Sequence, residues 1–337
     1  MIISPHTFEL SLRLNDREHE TLRAEAYVKA ENSHRMYEDK RLAYWNIHVD
    51  ETLAPNGIRI EYHDSFLYNI IKFIVNPSKL LGGDDIPKLW KPTDRNIKAL
   101  LKRLKVHIKA YFDGKFKLND FTITRIDYTA NIHVGSRKNV SHYIKILHGL
   151  GRVKGFAPKY KKSNKRIDKA LSFDLKSKSL CTEFSAYDKE AQSGKAAARG
   201  ILRVEIRLMK VAVKGGSVSE QIKGLAKLST ETFMDFFQRV VPRGDYYTKR
   251  QAVTLIEDGI AAIVPNKRER NNTLERMKAL LELIPTKKSL LLAQKELNYR
   301  HISRLMETFA ELNVSPITIP KSVKLKQLAS LYSYLER

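Results

Sequence analysis

The sequence predicts an α+β protein: an antiparallel or mixed central sheet with helices on one face, followed by a mostly helical C-terminal domain. Three observations carry this reading. "GIRIEYH" (57–63) alternates isoleucine with polar residues, the period of a half-buried strand. Residues 93–112 instead place Ile97, Leu100, Leu101, Leu104, Ile108 and Phe112 on one helical stripe. Between 120 and 210 the order runs strand, helix, strand, strand, and after "VKGG" (213–216) the pattern turns helical.

Each element has a local reason. After 57–63, "NIIKFIVNPSKLLGG" (69–83) starts as a strand and breaks at Pro77 and Gly82-Gly83. Thr93 or Asp94 can cap the long helix, which Asp113-Gly114 ends; Lys98, Lys102, Arg103 and Lys105 occupy its other faces. "DFTITRIDYTANIHV" (120–134) reads as a long strand, with Ile126 and Tyr128 on one face and Arg125 and Asp127 on the other. A short helix is expected at 137–150. The segment 152–169 carries Lys and Arg with Gly, Pro, Ser and Asn and no period, so it reads as an exposed loop. Strands follow at 179–190 and 200–210, joined through "AQSGKAAAR". Beyond them, helices are expected at 217–228, 229–240, 248–258, 267–283, 286–296, 299–312 and 323–335. The expected domains are therefore 1–215 and 216–337.

The chain has 337 residues, 42% of them apolar, enough for a sizeable core. Its formal net charge is +24, which speaks to partners rather than fold. Nucleic acid leads, ahead of an anionic membrane surface or an acidic protein. No apolar run approaches the roughly 20 residues of a spanning helix, and "MIISPHTFEL" lacks the form of a secretory signal. The single cysteine, Cys181, excludes an internal disulfide and a cysteine-based zinc site, and suits a reducing cytoplasm. The sequence holds no Walker A loop, dinucleotide-binding glycine fingerprint, His-Glu-x-x-His, Gly-x-Ser-x-Gly or His-x-His pair.

Four groups of residues can carry chemistry. Asp127, Glu205 and Glu183 lie in three predicted strands; carboxylates projecting from one sheet face suit Mg²⁺ or Mn²⁺. The competing reading makes Asp127 and Glu205 ion-pair partners of Arg125, Arg203 or Arg207. Tyr187, followed by Asp188 and Lys189, can be a nucleophile if a cation stabilises its phenolate, or an ordinary strand tyrosine. The third group is basic and aromatic: Arg152, Lys154, Lys159, Tyr160, Lys161, Lys162, Lys165, Arg166 and Lys169. Phosphates would neutralise its charge, and Phe156 and Tyr160 would stack on unpaired bases. A solvated loop is the alternative. Lastly, 286–314 gives two helices broken near Leu297-Asn298, with Arg300 and Arg304 heading the second. That spacing fits a helix-turn-helix reader or a plain helical hairpin.

Taken in order, "ITRIDYTANI", "FSAYDKEAQ" and "GILRVEIRL" resemble the motif series of the Rep_trans group of rolling-circle replication initiators and of filamentous-phage gene II replication proteins. "VNPSKLLGG" (75–83) and "LNVSPITIP" (312–320) resemble pieces of the same proteins. The resemblance implies a site-specific DNA nickase and strand transferase that leaves a 5′-phosphotyrosine link and a free 3′ hydroxyl. It assigns Asp127 and Glu205, with Glu183, to a divalent metal and Tyr187 to nucleophilic attack, with Lys189 or Arg207 lowering the tyrosine pKa. Tyr160 and Tyr128 stand in reserve. "KALSFDLKSKSL" (169–180) departs from the glycine-serine-rich strand of the plasmid branch. The implied partners are double-stranded origin DNA and single-stranded DNA; a host helicase and a homodimer stay open. A DNA-binding regulator without catalysis and a metal-dependent nuclease using water are the competing classes.

Overall fold

A computed structural model describes residues 2–29, 34–36, 45–65, 69–84, 86–159, 171–211 and 216–336. In chain order its elements begin with β1 (Ile3–Leu14), α1 (Asp16–Lys29), β2 (His34–Met36), β3 (Trp45–Asp50), β4 (Ile58–Ser65) and β5 (Asn69–Val75). Next come α2 (Pro77–Leu80), α3 (Asp94–Tyr111), β6 (Thr122–His133), α4 (Arg137–His148), β7 (Ala157–Pro158), β8 (Ser172–Ser177) and β9 (Thr182–Asp188). Then follow α5 (Lys189–Ser193), β10 (Ile201–Leu208), α6 (Val218–Lys227), α7 (Ser229–Val240), β11 (Tyr246–Tyr247), α8 (Lys249–Ile263) and α9 (Lys267–Lys287). The chain closes with α10 (Leu290–Leu297), α11 (Ile302–Glu311), β12 (Gln327–Leu328) and α12 (Tyr332–Leu335). The α+β expectation holds: an antiparallel central sheet with flanking helices precedes a largely helical C-terminal region. The domain boundary expected near 215 falls at 212–215, outside the described residues.

The chain forms two compact units. One comprises Ile2–Thr129 and Arg207–Glu231. Its strands follow the order β2-β3-β4-β5-β1-β6. β5 pairs antiparallel with β1 (Phe8 opposite Val75) and with β4 (Ile58 opposite Val75). The residues that force this are alternating: Phe8, Leu10, Leu12 and Leu14 on β1, Ile58, Ile60 and Tyr62 on β4, and Ile71, Phe73 and Val75 on β5 are all buried. α3 starts at Thr93, whose side chain accepts from the Asn96 N–H. It buries Ile97, Leu100, Leu101, Leu104 and Ile108, the stripe expected from spacing. The Phe73 ring meets Phe112 at 5.7 Å and Phe121 at 5.4 Å. α6 is tied to β6 by the Tyr128 hydroxyl, which donates to the Leu225 carbonyl at 3.0 Å.

The other unit comprises Ala130–Ile206 and Thr232–Arg337. Here the strands run in the order β6-β10-β9-β8-β7, with β8 and β9 antiparallel and Ser172 opposite Tyr187. α4 packs on β8 and β9. Phe184 on β9 reaches Phe237 of α7 at 6.2 Å, and Phe237 reaches Tyr332 at 5.0 Å, so sheet and C-terminal segments share a core.

Two expectations are corrected. The helix expected at 323–335 is confined to Tyr332–Leu335, and Gln327–Leu328 form β12 instead, paired antiparallel with β11. Tertiary bonds outcompete the helix: the Thr248 N–H donates to the Lys326 carbonyl, and the Ser330 N–H donates to the Asp245 carboxylate at 2.7 Å. The segment 152–169 is not wholly a loop. Val153 and Phe156 bridge to each other, and Ala157–Pro158 pair with Leu175–Lys176.

Candidate active-site residues

Asp127 lies on β6 and is 1% exposed. Arg125, two residues away on the same strand face, donates Nε to its Oδ1 at 2.8 Å and NH2 to its Oδ2. From β10, Arg207 donates Nε to both oxygens at 3.1 Å. Burial alone would raise the Asp127 pKa; the hydrogen bonds and charges of the two guanidiniums outweigh it and hold the carboxyl below its ordinary value. Asp127 thus has the ion-pair partners that the competing reading of the sequence named, Arg125 and Arg207.

Tyr187 lies on β9, half-buried. Its hydroxyl donates to Glu205 Oε1 of β10 at 2.6 Å. Burial chiefly, then the Glu205 charge, pushes the phenol well above 10, and nearby Arg203 offsets part of that. Arg203 is 0% exposed and is fixed by its Nε donating to Asn131 Oδ1 at 2.7 Å. The cation acting on the phenol is therefore Arg203, a correction to the expectation of Lys189 or Arg207. Strand β9 ends at Asp188, whose side chain accepts from the Ala191 N–H and starts α5. Lys189 belongs to that helix, is buried, and donates Nζ to Gln192 Oε1 at 2.8 Å. The alternation Arg203, Glu205, Arg207 along "RVEIR" was the signal that could have found Arg203.

Glu183 is 7% exposed. It accepts from Lys159 Nζ at 2.7 Å and lies 3.7 Å from Lys176 Nζ. Between it and Tyr187 on β9, the Ser185 hydroxyl donates to Asp174 Oδ1 at 2.6 Å. Carboxylate oxygens are the right chemistry for Mg²⁺ or Mn²⁺. As arranged, however, Asp127 holds two guanidiniums, Glu183 a lysine and Glu205 a phenol. No group of three or more His, Cys, Asp or Glu able to hold a metal occurs among the described residues. These residues do not fit a resident ion in this arrangement.

Of the basic patch, Arg152, Lys154 and Lys159 are exposed, whereas Tyr160, Lys161, Lys162, Lys165, Arg166 and Lys169 lie outside the described residues. Phe156 is 3% exposed, so it packs in the core rather than presenting a face to a base. Tyr128 is buried as well. Arg300 lies exposed between α10 and α11, after Asn298 in the left-handed region. Arg304 opens α11 and pairs with Glu307 and Glu311 of the same helix. Sequence reasoning passed over the histidine–carboxylate contacts of the other unit: His19 Nε2 lies 3.3 Å from Asp64 Oδ1, and His63 Nε2 3.1 Å from Glu61 Oε2. Among the described residues no helix is long and apolar enough to cross a membrane.

Comparison with curated proteins gives no match. Among solved structures, the rolling circle replication initiator protein from Geobacillus stearothermophilus is similar at 13% identity over 71% of this chain and 86% of that one, with a TM-score of 0.33. Methanococcus jannaschii TBP is similar at 10% identity over 71% and 99%, with a TM-score of 0.26. At these TM-scores neither likeness establishes a shared fold. The family model for the N-terminal region of the phage replication-associated protein of the gene II type matches residues 10–217, more than half of the chain, and the protein belongs to that family.

Proposed function

We propose that this protein initiates rolling-circle DNA replication by nicking one strand at an origin, with Tyr187 as nucleophile and Glu205 as the base that receives its proton. Family membership supports the class of activity. The observation that carries the residue assignment is the 2.6 Å hydrogen bond from the Tyr187 hydroxyl to Glu205 Oε1. A phenol held neutral is a weak nucleophile, and a carboxylate already accepting its hydrogen can take that proton as the bond to phosphorus forms.

In this reading the Tyr187 oxygen attacks the scissile phosphorus. The tyrosine O–P bond forms, the phosphorus–O3′ bond breaks, the phenol proton passes to Glu205, and the departing 3′ oxygen takes a proton from water. The 5′ phosphate stays on the enzyme and the 3′ hydroxyl is left to prime synthesis. Arg203 is placed to offset charge developing at the phenol oxygen. Asp127, clamped by Arg125 and Arg207, positions β6 against β10. No step is assigned to Mg²⁺ or Mn²⁺; nicking in EDTA and after restoring each ion measures that expectation separately. The segment beyond residue 216, with Arg300 and Arg304, and the basic residues from Arg152 onward are proposed to bind the origin.

The test is incubation of wild type and Tyr187→Phe with a supercoiled plasmid carrying the protein's own replicon origin, followed by denaturing electrophoresis. Wild type is expected to give nicked circles with protein attached, and Tyr187→Phe neither. Nicking without attached protein would favour attack by water, and normal nicking by Tyr187→Phe would overturn the nucleophile assignment.

A further inference from the structure

The unit that carries Tyr187 also holds an open basic cleft that sequence reading did not reach. α4 buries Val140, Tyr143, Ile144, Ile146 and Leu147. Its stripe Lys138, Ser141, His142, Lys145 follows i, i+3, i+4, i+7 spacing and lines one wall of a cleft of about 500 Å³. Ser322 and Lys324 form the other wall, and Arg137 stands at the helix start. The walls are held in place. Val323, between the two wall residues, is 4% exposed, and its N–H donates to the Pro320 carbonyl. The Tyr143 hydroxyl donates to the Ala329 carbonyl at 2.8 Å, tying α4 to the same C-terminal segment.

The lining is cationic throughout: four Lys or Arg side chains and no carboxylate. Arg137 is 3.8 Å from Asp188. The deciding feature is His142. It is 6% exposed, and its Nδ1 has no hydrogen-bond partner among the described residues. Leaving a buried polar atom unsatisfied costs about 1–3 kcal/mol, and an incoming anion with acceptor oxygens would relieve it. Burial first, then Lys138 and Lys145, lower the His142 pKa, so the ring enters the contact neutral, with one N–H to donate. A metal cation is excluded by the surrounding charge, and an apolar ligand by the lining.

We propose that this cleft seats a backbone phosphate of nucleic acid, gripped by Lys138, Lys145 and Lys324 with His142 as the hydrogen-bonding group. This rests on reading the chain as a DNA-acting protein. It adds a contact that contributes affinity and no chemistry: α4 covers the β9 face of Phe184 and Ala186, and alternation turns Tyr187 to the other face. Inorganic phosphate shares the recognition chemistry, so the test separates the two sources.

The experiment compares the full-length protein with the triple variant Lys138→Ala, Lys145→Ala, Lys324→Ala, and with a control of equal charge loss on α3 (Lys98→Ala, Lys102→Ala, Lys105→Ala). Binding of a labelled DNA duplex is read by fluorescence anisotropy across a salt series. The cleft variant is expected to lose affinity at least about tenfold and to flatten the dependence of log K on log salt by about one or more, the value of at least one phosphate. Equal losses in the two variants, or no loss in the cleft variant, overturn the proposal. NMR of the His142 ring supplies the second arm: a shift on adding DNA supports the proposal, and a shift with inorganic phosphate alone overturns it. If the cleft variant binds normally while Tyr187→Phe abolishes nicking, the cleft fails and the nicking reading stands; if the salt slope flattens while Tyr187→Phe still nicks, the reverse holds.

Discussion

The Tyr187 hydroxyl donates to Glu205 Oε1 at 2.6 Å, joining neighbouring strands β9 and β10 through the one phenol that the motif series singled out. If Glu205 receives the proton during attack, Glu205→Gln keeps the shape and removes the base. Formation of the covalent adduct is expected to slow by about 10²–10⁴-fold, measured by single-turnover assays on a labelled single strand. A rate close to that of wild type would show that the proton goes elsewhere.

The same phenol gives a pH prediction. Burial and Glu205 raise the Tyr187 pKa above 10 in the folded state, and burial foremost does the same to Tyr143, Tyr246 and Tyr332. The folded chain therefore holds these protons at a pH where the unfolded chain, with phenols near 10, has released them. Their contribution is fully present below about pH 10 and is lost as pH rises beyond it. Urea midpoints should fall steeply above about pH 10, and the fall should be shallower in Tyr246→Phe.

For Asp127 the sign reverses. Burial raises its pKa, but Arg125 and Arg207 lower it further, so the folded value lies below the unfolded one. Its contribution is complete above the unfolded value of about 3.9 and is lost as pH falls through the folded value. Asp127→Asn would leave two guanidiniums facing a neutral amide and is expected to cost about 3 kcal/mol near neutral pH. Equilibrium urea unfolding measures this, and the difference from wild type should shrink in acid.

Gly151 tests the packing around the candidate cleft's unit. It has φ +52, and a Cβ there would sit 2.0 Å from the Lys288 carbonyl oxygen. That approach lets the Leu150 and Arg152 carbonyls accept from the Leu290 and Leu291 N–H groups at the start of α10. Gly151→Ala is expected to destabilise by about 2–4 kcal/mol, seen as a lowered thermal midpoint.

Local pattern made much of the fold legible. Thr93 caps α3 and its stripe is buried as spacing required. β6, β9 and β10 lie where β-branched and alternating residues put them. β1 carried an equally clear signal in Phe8, Leu10, Leu12 and Leu14, and sequence reading passed over it. The tail 323–335 has helix-compatible residues, but its backbone groups find partners in β11 and Asp245, which no local window contains. Of the candidate site, the pairing of Tyr187 with Glu205 was legible only as two motifs in order. Arg203, Lys189 and Phe156 took places that the motifs did not indicate.

By itself the sequence determined the α+β class, the positions of the main strands and helices, the cationic character, and the motif order that marks the family. Those depend on periodicity, charge and residue type, which are local properties of the chain. Only tertiary structure decided which cation serves which acid: that Asp127 holds Arg125 and Arg207, that Arg203 attends Tyr187, and that His142 shares a cleft with three lysines from two distant segments. Strand order and side-chain burial set those pairings, and both arise from contacts between residues far apart in the chain.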